Sequence, residues 1–224
     1  GITYDNENLG VSSVINENFF TEELRTEGFG YGQVLYPYFR DRTGAEVFSV
    51  LGRINYGFRD KYLITVSGRA DGSSKFSKGN KFSYFPAVAL AWKASEEDFL
   101  KNSRTISNLK IRAVYGRSGN QAINPYETFA RYGQTYYVSG NTLISGAIPE
   151  NIQNDRLVWE TTSQFNGGVD ISLFNNRLSA TVDLYHKKTM DLLQTFALPP
   201  STGYGVIVKN IGTVQNKGFE FTAT

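Results

Sequence analysis

At 224 residues and a net charge of +2, the chain is long enough for one large all-β unit or two small domains, and too nearly neutral for a nucleic-acid footprint. Cysteine is absent and the only histidine is His186, which excludes a disulfide framework and thiolate metal sites and leaves little material for metal ligation or nucleophile–base pairs. With 14 Tyr and 16 Phe against 2 Trp and 1 Met, the composition favours strands, interfaces or binding surfaces over helices.

In chain order, residues 1–47 are rich in Asn, Gly, Glu, Tyr and Phe with no sustained period, and are expected to form a long loop with a helical turn near Thr21 to Arg25. The first strand is expected over 48–58, with Phe48, Val50, Ile54, Tyr56 and Phe58 on one face and Ser49, Arg53 and Asn55 on the other. A polar turn at 59–61 leads to a second strand over 62–70, in which Tyr62, Ile64, Val66 and Ala70 oppose Leu63, Thr65 and Arg69. After a polar loop over 71–81, a third strand spans 82–93, with Phe82, Tyr84, Val88, Leu90 and Trp92 on one parity; Pro86 predicts a bulge or a late start there. Ser95-Glu96-Glu97-Asp98 reads as an N-capped helical turn, followed by a strand over 109–117. A connection over 118–158 carries many tyrosines and an expected strand extension between Tyr126 and Val138.

The strongest pattern runs from Trp159 to Lys187. Thr161, Phe165, Val169, Ile171 and Leu173 alternate with Glu160, Gln164, Asn166, Asp170 and Ser172; beyond Phe174-Asn175-Asn176 the alternation resumes with Leu178, Ala180, Val182 and Leu184 against Arg177, Thr181 and Asp183. Asparagine tolerates positive φ, so Asn175-Asn176 predicts a tight hairpin turn. A loop over 189–212 and a last strand over 214–224 complete the chain, which starts at Gly1 without a signal peptide, stops inside an alternating run, and reads as an excerpt of a longer polypeptide.

Two regularities bear on fold class. Short turns and long loops alternate, and the apolar parity of the central strands carries no Lys, Arg, Asp or Glu, while Arg53, Arg69, Lys110, Arg112, Glu160, Asp170, Arg177 and Asp183 take the other parity. Aromatics on the apolar parity gather near the strand ends: Tyr56, Phe58, Tyr62 and Trp92 by the short turns, Phe48, Tyr84, Tyr115 and Trp159 toward the long loops. Two aromatic girdles around an aliphatic band are what the interfaces of a bilayer select. No apolar run approaches the ~20 residues of a spanning helix, which says nothing against strands of ~9–11 alternating residues. The expected fold is therefore an all-β antiparallel transmembrane β-barrel segment, with residues 1–47 as an extracellular loop region, residues 48–224 as a partial barrel, and lumen-facing Arg53, Arg69, Glu160, Asp170 and Asp183. The girdle would comprise Tyr56, Tyr62, Trp92, Tyr115 and Trp159. A soluble β-sandwich carbohydrate-binding module, its aromatics packing a core, is the alternative. Seven strands cannot close, so the remaining ones must come from elsewhere in the polypeptide.

Several stretches resemble the SusC/RagA-type TonB-dependent outer-membrane transporters of Bacteroidetes: Gly52-Arg53-Ile54-Asn55-Tyr56, Arg69-Ala70-Asp71-Gly72-Ser73-Ser74-Lys75-Phe76, Tyr84-Phe85-Pro86-Ala87, Ser95-Glu96-Glu97-Asp98-Phe99, Gly119-Asn120-Gln121, Leu157-Val158-Trp159-Glu160, Phe174-Asn175-Asn176-Arg177-Leu178 and Asn216-Lys217-Gly218-Phe219-Glu220. The resemblance covers most of residues 50–224. It implies the middle to later part of a 22-stranded barrel with a plugged lumen in the Gram-negative outer membrane. It also implies import of an oligosaccharide or peptide, driven through TonB, with a SusD-like surface lipoprotein as partner.

No catalytic or metal site stands out, and no cofactor is expected. His186 reads as a rim residue, Glu96-Glu97-Asp98 as helix-terminus acids, Asp71-Gly72-Ser73-Ser74 as a polar turn without EF-hand spacing, and Gly167-Gly168 as a point of close packing or a bulge. The loop tyrosines Tyr126, Tyr132, Tyr136, Tyr137 and Tyr204 are candidates for substrate or partner contacts, and equally for packing loop against loop.

Overall fold

A computed structural model of the chain describes residues 1–17 and 33–224, and the side chains of all of these except 12–17 and 33–41. Eight strands form one antiparallel sheet in the order β1-β2-β3-β4-β5-β8-β9-β12. They are β1 (Ile2–Glu17), β2 (Gln33–Phe58), β3 (Tyr62–Ser73), β4 (Phe82–Lys93), β5 (Ile106–Asn120), β8 (Glu160–Leu173), β9 (Leu178–Met190) and β12 (Thr213–Ala223). Two separate two-stranded ribbons, β6 (Tyr132–Ser139) with β7 (Thr142–Pro149) and β10 (Leu193–Ala197) with β11 (Val206–Asn210), rise from the connections. The connections at one end of the sheet are 59–61, 94–105 and 174–177; among the described residues those at the other end are 74–81, 121–159 and 191–212, and the two longest lie there.

Register explains the two faces. One row across the ladder reads Tyr56, Ile64, Leu90, Ala113, Gly167, Leu184 and Phe219; the adjacent row on that face reads Phe58, Tyr62, Trp92, Ile111, Val169, Val182 and Phe221. The alternate row reads Gly57, Leu63, Ala91, Arg112, Gly168, Asp183 and Glu220. A one-residue slip anywhere would send a strand's apolar set to the charged side, so this continuous register is strongly specified. The apolar face is uncovered by any second layer among the described residues: Val66 remains 47% exposed and Val182 38%. Burial against a facing sheet is what a β-sandwich requires. Among the described residues nothing supplies it, and the sandwich alternative fails on that ground.

Both tight turns run through positive φ, which Asp60, Asn175 and Asn176 tolerate and Arg59 and Phe174 adopt beside them. Arg59 and Asp60 have φ of 52° and 54°, and Phe174, Asn175 and Asn176 have 52°, 56° and 64°. Positive φ at consecutive turn residues matches the right-handed twist of the flanking strands.

Four expectations change. Within the expected loop over 1–47, residues 2–17 and 33–47 are strand: β1 pairs with β2 from Ile2↔Val50 to Glu17↔Gln33, giving eight strands in the sheet instead of seven. Ile2 and Tyr4 take one parity of β1 and Leu9 and Val11 the other, all exposed, so no sustained hydrophobic period marked it; the helical turn expected near Thr21 to Arg25 lies outside the described residues. Strand β3 runs on to Ser73, taking Asp71 out of the expected loop. Pro86 sits within an unbroken β3–β4 register, opposite Gly68, while the β4–β5 ladder begins only at Ala87↔Gly116. The missing N–H of Pro86 thus falls where that ladder has not yet started, and no bulge is needed. Ser95 caps nothing: its hydroxyl pairs with Asn108, and the turn over Ala94–Glu96 has no side-chain cap.

Candidate functional site

The charged face is organised around Arg112 on β5. Its Nε and Nη2 donate to the two Asp170 carboxylate oxygens at 3.1 and 3.2 Å, Nη2 also donates to Asp183 Oδ2 at 2.8 Å, and Nη1 lies 2.8 Å from Asp183 Oδ1. Thr181 Oγ1 adds a donor to Asp170 at 3.1 Å. One guanidinium is thus shared by two carboxylates from two further strands, which fixes three strands in register on that face. Gly168 makes the arrangement possible: a Cβ there would stand 2.6 Å from both Arg112 Cζ and Asp183 Oδ1. The glycine is a point of close approach, as its place inside a strand suggested.

Among the other residues expected on this face, Arg69 Nε donates to Asp71 at 2.5 Å and its Nη2 to Ser49 at 3.2 Å. Glu160 accepts from Asn120 Nδ2 and from the backbone N–H of Leu193, both at 3.4 Å, so it ties the long connections to the sheet. Arg53 is exposed, opposite Ser67.

At the short-turn end, Glu97 accepts from Tyr62 Oη at 2.6 Å, Lys61 Nζ at 2.8 Å and Trp92 Nε1 at 3.2 Å. These donors, the Lys61 ammonium first, hold its carboxyl at about 2, well below the usual carboxylate range, and Glu97 in turn raises Lys61. Tyr62 and Trp92 stack with centroids 6.5 Å apart and 4° between planes, Phe58 lies 6.3 Å from Tyr62, and the Arg59 guanidinium sits 5.1 Å above Phe58. Of the expected girdle, Tyr56, Tyr62 and Tyr115 lie exposed on the apolar face and Trp92 is half-buried there.

Trp159 does not belong to a girdle. It is only 6% exposed and packs with Phe76, Phe85, Ile123 and Leu157, with Leu193 and Val208 against the cluster. Its ring lies 5.2 Å from that of Phe76 and 5.8 Å from that of Phe85, and its indole N–H donates to the Lys81 carbonyl at 3.0 Å. Phe85 has the charged-face parity of β4, so the cluster caps the inner side of the sheet at its long-loop end. The period-2 reading ran one residue too far, since β8 begins at Glu160.

Around this cluster the long connections are stitched by asparagine amides. Asn210 receives the Val158 N–H and donates to the Val158 and Asp191 carbonyls; buried Asn151 receives the Arg131 N–H and donates to the Phe129 carbonyl. Between the β1–β2 ribbon and residues 124–131 opens a cleft of about 390 Å³ lined by Glu7, Thr43, Lys75, Asn124, Glu127 and Arg131. Tyr126, with φ of 67°, and Phe129 border a neighbouring hollow with Asn6, Asn8 and Lys75. Tyr132 and Tyr136 share one face of the β6–β7 ribbon and Tyr137 takes the other; all three are exposed, whereas Tyr204 is half-buried. The sequence had marked these tyrosines but not the cleft, whose walls come from segments more than 100 residues apart. The described residues hold no cluster of three metal-ligating side chains.

The profile of the family described as TonB dependent receptor-like, beta-barrel matches residues 2–224. The chain belongs to this TonB-dependent receptor family. It is 42% identical over 205 residues to TonB-dependent receptor P3 of Formosa agariphila, covering 92% of the chain and 20% of that protein, and 38% identical over 182 residues to TonB-dependent receptor SusC of Bacteroides thetaiotaomicron, covering 78% and 18%. The structure of the RagAB peptide importer in its closed-closed state superposes with a TM-score of 0.87 at 28% identity, over 99% of this chain and 24% of that one. The chain thus spans about a fifth of the length of the curated relatives it matches. The SusC/RagA character suggested by the motifs agrees with these similarities, and the sheet is a segment of a TonB-dependent receptor barrel.

Proposed function

We infer that the chain forms part of the wall and the outer mouth of an energised importer in the Gram-negative outer membrane. The observation that carries this reading is the pair of faces: an uncovered outward surface that is charge-free across the two rows of Tyr56–Phe219 and Phe58–Phe221, and the Arg112–Asp170–Asp183 network inward. Hydrocarbon accepts the first and a hydrated lumen the second. The short-turn end then faces the periplasm and the longer connections face outward. TonB supplies the energy through segments outside residues 1–224, and a SusD-like surface lipoprotein closes over the mouth. The cargo is an oligosaccharide or a peptide; Tyr126, Tyr132, Tyr136, Tyr137 and Tyr204 contribute contacts to it or to the lipoprotein, since aromatic faces stack on sugars and anchor peptides alike. Residues 1–47 belong to the extracellular part.

The test uses cells carrying the full-length gene or its deletion, supplied with labelled oligosaccharides and peptides. Uptake of one class disappears in the deletion strain and in wild-type cells treated with a protonophore. Uptake that survives both conditions for every cargo refutes the reading. Tyr132→Ala with Tyr136→Ala raises the half-saturating concentration while leaving the amount of protein at the surface unchanged.

A further inference from the structure

On the outward face, one row beyond the apolar band, the character changes. The row that holds Tyr115 and Phe165 continues through His186 to Lys217, and the next row toward the longer connections reads Arg117, Ser163, Lys188 and Gln215. Arg117, Lys188 and Lys217 are all exposed, and none takes part in an ion pair among the described residues. No Asp or Glu shares this face on β5, β8, β9 or β12: Asp170, Asp183 and Glu220 all have the opposite parity. His186 is occupied by Gln215, whose amide nitrogen meets its Nε2. Three uncompensated cations therefore stand together, Arg117 and Lys188 roughly 10 Å apart across β8, Lys188 and Lys217 diagonal neighbours at roughly 7–8 Å.

Their depth is informative. Lys188 lies ten residues along β9 from Leu178, the first residue after the short turn. At ~3.3 Å per residue and a tilt of ~40° this is a climb of ~25 Å, the height of the apolar band of an outer-membrane barrel. The cations therefore meet the level of the outer headgroups. Just below Arg117 and Lys188, with Lys217 at its edge, Phe165, Leu184, Tyr185, His186 and Gly218 line a shallow groove of about 370 Å³.

The geometry points to a docking site for an anionic lipid of the outer leaflet, its phosphates held by Arg117, Lys188 and Lys217 and an acyl chain laid along Phe165 and Leu184. The planar guanidinium of Arg117 offers a two-pronged bond to a phosphate and the two lysines add point charges. The inference rests on the outward orientation given to this face above. Charge complementarity selects the occupant: an uncharged lipid gains nothing from three cations, and a protein partner would have to displace lipid from the groove beside them.

The experiment uses the full-length protein in nanodiscs of phosphatidylethanolamine doped with fluorescent bis-phosphorylated lipid A, or with its dephosphorylated form. All variants are first checked for the heat-modifiable gel migration of a folded barrel. The wild type enriches phosphorylated lipid A in its annulus, and each of Arg117→Gln, Lys188→Gln and Lys217→Gln weakens that enrichment about fivefold. Lys187→Gln, one residue away but on the opposite face, leaves it unchanged. Equal enrichment of the dephosphorylated lipid, or a triple variant that binds like the wild type, overturns the proposal. Displacement by excess inorganic phosphate also overturns it, because the site would then be one for small anions. If Lys187→Gln rather than Lys188→Gln abolishes enrichment, the assignment of the faces itself has failed.

Discussion

Val182 and Thr181 are adjacent on β9 and point to opposite sides of the wall, which makes them the sharpest probe of what each face meets. Val182 sits four residues from Leu178 at the short-turn end and pairs with Val169 on β8 and Phe221 on β12. Four residues at ~3.3 Å and ~40° tilt place it ~10 Å into an apolar band of ~25 Å, close to the midplane. An arginine there has neither water nor a carboxylate within reach, and its cost is ~2–4 kcal/mol. Thr181→Arg loses the hydroxyl donor to Asp170, about 1 kcal/mol, but places its cation beside the Asp170 and Asp183 carboxylates, which offsets part of that loss. Equilibrium unfolding of the full-length protein in lipid vesicles by guanidinium should therefore rank Val182→Arg clearly below Thr181→Arg. Equal midpoints for the two variants, or the reverse order, would refute the assignment of lipid and lumen.

The remaining predictions concern the turns and the close approaches. Glu97 has a folded pKa of about 2, below its ordinary 4.5, so the stabilisation it gives is fully present above 4.5 and is lost as pH falls from there through about 2. The thermal midpoint of Glu97→Gln is accordingly lower than that of the wild type at neutral pH, and the two converge near pH 2; a constant difference across that range contradicts the mechanism. Gly168→Ala forces the Arg112 guanidinium off its seat and costs about 1–3 kcal/mol in the same vesicle assay, whereas Gly52→Ala, with open space around its Cβ, is close to neutral. Trp159→Ala empties the centre of the loop cluster, a local loss of ~3–5 kcal/mol, and limited proteolysis then cleaves within 121–159 and 191–212 while the sheet stays protected.

The wall of the barrel was legible in the sequence because each of its strands carries a face that must be apolar beside one that need not be. The apolar parity of the central strand segments became a continuous surface over two adjacent rows, from Tyr56 and Phe58 on β2 to Phe219 and Phe221 on β12. The Asn175-Asn176 turn was legible for an equally local reason, the tolerance of asparagine for positive φ. The β1–β2 ribbon was hidden because the apolar residues of β1 change parity between Tyr4 and Leu9 and leave no period to read. The Phe76–Phe85–Trp159 cluster was hidden differently: Trp159 is more than 70 residues from both phenylalanines, and its parity alone pointed to the wrong side. Glu97 was legible as an acid in a turn, but two of the three donors that converge on it, Lys61 and Tyr62, come from the preceding short turn and the start of β3, 36 and 35 residues away. The cleft between the ribbon and residues 124–131 has the same kind of origin, with walls that meet only once the sheet has formed.

The outermost strands of the sheet, β1 and β12, each have a neighbour on one flank only, and β2 is likewise open along Arg53 to Phe58. Such bare rims recruit whatever extended peptide is nearby, and in an acyl environment they cannot stay vacant. Persistence of this piece of wall is thus a collective property, granted by strands to the left and right that complete the circumference. Produced by itself it would zip onto copies of itself, so its thermodynamics belong to the closed ring and are to be measured there.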